Sequence, residues 1–297
     1  MKISVVIPTH NRPFALKNCL VALEATTFPR DEMEVIIVDD NGSTDLSDIA
    51  MSVKIDVRVV RLDVQSGPGI ARNAGVNISS GELIAFTDDD CLPDANWLSA
   101  LWTGHQQHPN AMLGGRLVNS QTQFIASIAN QVVSDIVYSH YNASSLQSRF
   151  FSTNNVAVPR ALFTEMGGFD PEFSRASEDR DLCDRWRALG LPMVLLPDAV
   201  VAHDKSLTVR HFLRQHFRYG TGAHTYHRAR SSRGAGSITQ EMSFHAELPR
   251  LVRKHLRGFS WADRVRILPL LAGWQVANAG GYFWQAARAS LRKSTAK

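Results

Sequence analysis

The chain has 297 residues, 44% of them hydrophobic and 20% charged, which excludes a disordered segment and suffices for one large domain or a domain with an appendage. Cys19, Cys91 and Cys183 are isolated and odd in number, which excludes a disulfide framework and a cysteine-built zinc site and fits a reducing cytoplasm. The net charge of +4 conceals an acidic body and a basic tail, with 15 Lys and Arg against 24 Asp and Glu through His203 and 17 against 4 from Asp204 onward.

The opening "MKISVVIPTHNRP" has too short an apolar run for a signal peptide. Its "ISVVIP" reads as a buried strand, followed by the helix "FALKNCLVALEAT". "MEVIIVDD" is a second strand, then come the turn-rich "NGSTD" and a short helix. "VRVVRL" is a third strand, after which "QSGPGIARNAGVN" opens a helix. "ELIAFTDDD" is a fourth strand and "NWLSALWTGHQQ" a further helix. Short Val/Ile-rich strands each followed by a helix predict an α/β fold with a parallel sheet covered on both faces.

Residues 121–200 are less regular. "SRASEDRDLCDRWRALG" predicts a helix with Ser177 as N-cap, Glu178 and Asp179 in the first turn, and Leu182, Trp186 and Leu189 on one apolar face. Acids there are favoured by the helix dipole without any further role. "PMVLLP" is a last strand.

In parallel sheets ligands bind outside the carboxyl ends of the strands. The first strand ends at "PTHNR", the second at Asp39 and Asp40, the fourth at Asp88, Asp89 and Asp90, so these polar groups converge on one rim. Three adjacent carboxylates repel one another. They suit either a solvated turn or a site for a hard divalent cation, which needs several oxygen ligands. His203, also at a strand end, is either a further ligand or a loop histidine. "GPGIAR" lacks the third glycine of a dinucleotide fingerprint, because Arg72 stands there and a side chain would obstruct close helix packing. His224 and His227 of "HTYH" read as surface histidines.

Five segments in order resemble glycosyltransferase family 2, nucleotide-sugar-dependent enzymes of GT-A type, over roughly residues 1–220: "VVIPTHNR", "VIIVDDNGSTD", "GPGIARNAG", "AFTDDD" and "GGFDPEF" with "SEDRDLCDRWRALG". Asn41 stands where the family more usually has glycine after the acids. The resemblance implies a GT-A fold, with a mostly parallel Rossmann-like sheet, helices on both faces and a helical C-terminal extension. Residues 1–220 would form the catalytic domain, split near residue 120 into donor and acceptor halves, and 221–297 the basic extension. Pro8, Thr9, Asn11, Arg12, Asp40, Arg72, Asp88 and Asp89 would line the nucleotide-sugar site, with Asp40 on the base. Asp88 and Asp90, with His203, would hold Mn²⁺ or Mg²⁺. Asp179 would be the general base, and Glu178 and Gly168 would lie on the acceptor side.

The reaction so implied is inverting transfer from a nucleoside-diphosphate sugar, UDP-linked by default, to a saccharide or lipid-linked acceptor in polysaccharide or glycoconjugate synthesis. A sugar nucleotidyltransferase would carry a glycine-rich loop with a basic residue after the first strand, and "PTHNRP" has none. A non-catalytic nucleotide-sugar-binding protein is the other alternative.

The basic tail calls for an anionic partner, and no helix-turn-helix, zinc-finger or aromatic RNP-type pattern points to nucleic acid. Residues 267–287, "ILPLLAGWQVANAGGYFWQAA", carry no charge and are flanked by Arg264 and Arg266 and by Arg288, Arg292 and Lys293. Three readings stay open: a membrane span, weakened by Gln275, Asn278, Gln285, Pro269 and three glycines; a buried helical pair; or a segment at an anionic membrane surface with Trp274, Tyr282, Phe283 and Trp284 among the headgroups.

Overall fold

The computed structural model describes residues 1–174, 176–234 and 242–295; the side chains of Arg292 and Lys293 lie outside the described set. Two compact units emerge, one of residues 1–120, 142–174 and 178–204, the other of residues 121–141, 175–177 and 205–297.

The first unit opens with β1 (Ile3–Thr9), α1 (Pro13–Glu24), β2 (Met33–Asp39), α2 (Ser47–Met51), β3 (Val57–Arg61), α3 (Pro68–Asn77) and β4 (Leu83–Phe86). Every residue of β1, β2 and β4 is buried, as expected of parallel strands covered on both faces. These four strands pair in parallel in the order β3-β2-β1-β4. Gly75 brings α3 tight against the sheet, since a Cβ there would lie 2.5 Å from Val6 and 3.0 Å from Val38. The close packing denied to a side chain at Arg72 is thus supplied three residues later.

Beyond β4 the sheet is mixed. β5 (Cys91–Pro93), α4 (Trp97–Gln107) and β6 (Met112–Asn119) come next. Then, past the α5 helix (Ile125–Tyr141), come β7 (Val156–Pro159), α6 (Arg160–Glu165), α7 (Glu178–Ala188) and β8 (Met193–His203). β7 runs antiparallel to both β4 and β6, β8 parallel to β6, and β5 antiparallel to β8. Four of the seven pairings are parallel, and the sheet order is β3-β2-β1-β4-β7-β6-β8-β5. In α7 Leu182 and Trp186 are buried as the periodicity requires, but Leu189 is exposed. The helix has ended at Ala188, and Gly190 with φ 73° turns the chain away. Ser177 precedes α7 with φ 72°, in place of the extended backbone usual at an N-cap.

The second unit is helical: α5, α8 (Val209–Ser232), α9 (Met242–His255) and α10 (Trp261–Thr295). α8 continues unbroken through residue 220. The core contains Ala129, Ile136, Phe212, Leu251, Ile267, Leu271 and Trp274. α8 and α10 run parallel, backbone to backbone, because a Cβ at Gly220 would lie 2.1 Å from the Asn278 carbonyl and one at Gly281 2.0 Å from that of Phe217. Gly281, one of the three glycines that weaken a membrane span, is one this pairing needs. His224 and His227 rest half-buried on the Tyr282 ring, at 5.3 and 6.0 Å between centroids, and so are packing residues.

His216 is 2% exposed, has no hydrogen-bond partner on either ring nitrogen, and sits 4.4 Å from the Phe212 ring centroid and 6.1 Å from that of Trp274. Burial, aided by Lys205, lowers its pKa to about 4. The unfolded chain therefore takes up a proton on this residue near pH 6.5 that the folded chain refuses. Stability supplied by the neutral ring is complete above that pH and is lost as pH falls toward 4, by about 3 kcal/mol. Buried Asp89 and Asp179, whose carboxyls are raised to about 7, act in the opposite sense over the same range, so the test is a difference: between pH 7 and pH 5 the melting temperature of the native protein is expected to drop relative to that of His216→Leu. An equal change in both proteins would assign the acid sensitivity elsewhere.

Candidate active site

The carboxyl ends of β1, β2 and β4 lie side by side. After β1 the chain turns at Asn11 with φ 54°, and the Asn11 Oδ1 accepts from the Ser43 N–H at 2.7 Å and its hydroxyl at 3.0 Å. Asn41 has φ 59°, a left-handed backbone that Asn and Gly tolerate, which is why Asn replaces glycine there. Asp39 accepts the Gly42 N–H at 2.7 Å. Asp40 is buried, and its two carboxylate oxygens accept the Ser66 and Gly67 N–H groups at 2.7 and 2.9 Å. It braces the turn into α3, with remaining lone pairs as its capacity for a base.

Two arginines serve the "DDD" run, Arg72 at Asp88 and Arg12 at both Asp89 and Asp90. Asp88, partly exposed, accepts from Arg72 Nη2 at 2.6 Å. Asp89 is fully buried; its Oδ2 accepts from the Thr9 hydroxyl at 2.6 Å and Arg12 Nε at 3.1 Å, and its Oδ1 is ion-paired with Arg12 without a directed hydrogen bond. Burial raises the Asp89 carboxyl to about 7 against the lowering by Arg12 and Thr9. Its carboxylate thus turns inward and ties the end of β4 to the turn after β1. Asp90 Oδ2 accepts from Arg12 at 2.7 Å, while its Oδ1 lies 3.2 Å from His203 Nε2.

Arg72 is 2% exposed, and its second arm reaches Glu178 Oε1 at 3.2 Å, with the Phe169 ring centroid 5.7 Å from Cζ. Burial alone would lower its pKa, but Asp88 and Glu178 outweigh that and the net shift is upward. Glu178 is buried as the arginine's partner, a firmer tie than the helix dipole alone. Asp179 follows, half-buried, with Oδ1 accepting the Arg180 N–H at 2.8 Å. Its pKa is raised to about 7 by burial and by Glu178, against lowering by Arg180 and Arg72.

Gly168, with φ 67°, closes a corner on Asn73: a Cβ would lie 2.6 Å from Asn73 Oδ1, and the Gly168 carbonyl accepts from Arg185 at 2.6 Å. Asn73 exchanges two hydrogen bonds with the Phe169 backbone, at 2.8 and 2.9 Å, clamping α3 to the loop before α7.

Among the described residues, Asp90, His203 and Cys91 form the group that could hold a cation, their ligand atoms lying within 4.8 Å of one another. Cys91 is fully buried, and burial followed by Asp88 and Asp90 holds its thiol protonated, which makes it a poor ligand. The carboxylate–imidazole pair suits manganese. Asp88 stands outside this group, on Arg72.

Sequence reasoning missed Asn154 and Asn155, the doublet before β7. Asn155 is fully buried, accepts from Trp97 Nε1 at 2.8 Å and donates to the Arg116 and Ala199 carbonyls at 3.0 and 2.9 Å. Asn154 presents its carbonyl to the Thr87 hydroxyl at 3.0 Å, one residue before Asp88. Two amides beside a strand of small apolar residues were the available signal.

The glycosyl transferase family 2 model matches residues 4–166, which span β1 through α6 and include the strand-end acids. The chain belongs to glycosyl transferase family 2. It is 27% identical over 230 residues to the pre-mycofactocin glycosyltransferase of Mycobacterium tuberculosis, covering 74% of this chain and 46% of that one. The chain spans about half the length of curated family members it matches. Among solved structures, the Pyrobaculum calidifontis mannosyltransferase PcManGT in complex with GDP-Man and Mn²⁺ superposes with a TM-score of 0.62 at 19% identity, over 99% of this chain and 80% of that one. Staphylococcus aureus TarS in complex with UDP-GlcNAc gives 0.56 at 17% identity, over 99% and 92%. These structural likenesses show a GT-A fold.

Proposed function

We propose that the chain transfers a sugar, with inversion, from a nucleoside-diphosphate sugar to an acceptor hydroxyl, with Asp179 as general base. The observation that carries the reading is Arg72, which joins Asp88 at the end of β4 to Glu178 beside Asp179. One buried guanidinium thereby brings the acceptor-side acids to the donor-side acids. A base poised near neutrality serves proton removal from a hydroxyl best. Asp90 and His203 would hold Mn²⁺ or Mg²⁺, which when bound neutralises charge developing on the departing diphosphate.

The nucleotide is taken as uridine diphosphate, in line with the UDP and UDP-GlcNAc complexes of the TarS neighbour. The acceptor is taken as a polymeric or lipid-linked saccharide at the cytoplasmic face of a membrane, in polysaccharide or glycoconjugate synthesis. Release of nucleoside diphosphate across a panel of sugar donors, with Mn²⁺ and with chelator, tests the reading. Metal-dependent release from one donor is expected. Release from none would remove the transferase assignment for this chain, and full release in chelator would remove the metal from it.

A further inference from the structure

We infer that the outward face of α10 docks on an anionic lipid surface. The uncharged run of residues 267–287 proves to be part of one continuous helix, not a hairpin, and no helix among the described residues is long and apolar enough to cross a membrane. The helix has two apolar faces. Ile267, Leu270, Leu271 and Trp274 are buried in the helical unit. On the other side Trp261, Val265, Leu268, Val276, Phe283 and Leu291 are 79, 48, 47, 72, 69 and 68% exposed.

Their spacing of three, four, seven or eight residues puts them on one stripe, filled in by exposed Ala272, Ala279 and Ala287. A solvated helix would carry charges there, and none occurs between Arg266 and Arg288. Of the four aromatics expected among the headgroups, Trp274 is core and Tyr282 half-buried, while Phe283 and Trp284 are exposed. Arg264 is committed to the carbonyls of Phe259 and Arg257, at 2.9 and 2.8 Å, so among the described side chains Arg266 and Arg288 are the flanking cations left exposed. Arg288 lies over the Trp284 ring at 4.6 Å.

Charge selects the occupant. Residues 205–297 hold 17 Lys and Arg and three Asp and Glu. A second copy of this helix would meet the apolar stripe but set like charges at both ends, whereas an anionic bilayer satisfies stripe and arginines together. Docking there would place the catalytic unit's owner at the surface where a lipid-linked acceptor resides, and it rests on the transferase reading for that purpose alone.

Flotation with phosphatidylcholine–phosphatidylglycerol vesicles is the test, alongside phosphatidylcholine vesicles and sedimentation of the protein alone. The protein is expected to float with the mixed vesicles at low salt, with a blue shift in tryptophan emission from Trp261 and Trp284, and to release at high salt. The double variant Val276→Asp with Phe283→Asp should bind about tenfold or more weakly, and Arg266→Gln with Arg288→Gln about tenfold or more weakly at low salt. Circular dichroism and melting temperature should hold in both, since all four side chains are exposed. No flotation, undiminished binding by the aspartate variant, or a salt-insensitive self-association abolished by that variant would overturn the inference, the last naming a second copy as the occupant. Vesicle binding needs no turnover, so its failure and that of the transfer reading are separate results.

Discussion

Asp179→Asn is expected to lower turnover by about 10²–10⁴-fold, the usual contribution of a general base, with donor affinity little changed. The amide keeps the shape and can still accept the Arg180 N–H through its oxygen, so the start of α7 should remain in place. What it loses is a carboxyl whose pKa burial and Glu178 raise to about 7. The native rate should therefore climb with pH through about 7 as the base ionises, and the residual rate of the variant should lack that limb. Glu178→Gln tests a different function. It weakens the ion pair with buried Arg72, so donor affinity should fall along with turnover. A working Asp179→Asn enzyme beside a dead Glu178→Gln one would exchange the two roles.

The half of the fold built from local patterns was readable in the sequence. β1, β2 and β4 are apolar runs broken only by Ser4 and Glu34 before they end at polar residues, and the parallel-sheet rule places those ends on one rim. β6 was not read because "MLGGRLVN" carries two glycines and an arginine, and β7 because "VAVP" is short and ends in proline; both gain strand character by pairing with each other and with β4 and β8. The site shows the same division. The acids announced themselves by type and position, whereas Arg12 owes its place to partners 77 and 78 residues away, Arg72 to one 16 and one 106 residues away, and Asn155 to partners 39 to 58 residues away. Arg72 illustrates the limit. Read by itself it is a missing glycine of a dinucleotide loop, and the family resemblance set it at the nucleotide; in the fold it joins the two groups of acids.

Asp90→Ala is expected to abolish metal-dependent turnover and to weaken Mn²⁺ binding by tenfold or more, since few protein ligands hold such an ion. Like-charge repulsion within "DDD" would by itself make the metal-free variant more stable. The structure reverses that sign. Asp90 is buried and paired with Arg12 at 2.7 Å and His203 at 3.2 Å, so its loss removes two attractive contacts along with the repulsion. Arg12 is half-exposed, which limits the cost to about 1 kcal/mol, seen as a modestly lower melting temperature in chelator. Added Mn²⁺ should raise the melting temperature of the native protein by mass action and leave that of the variant unmoved. This readout needs neither donor nor acceptor. An equal Mn²⁺ shift in both proteins would move the ion off Asp90, and a variant more stable than the native chain in chelator would show that repulsion, not the Arg12 pair, governs the acidic run.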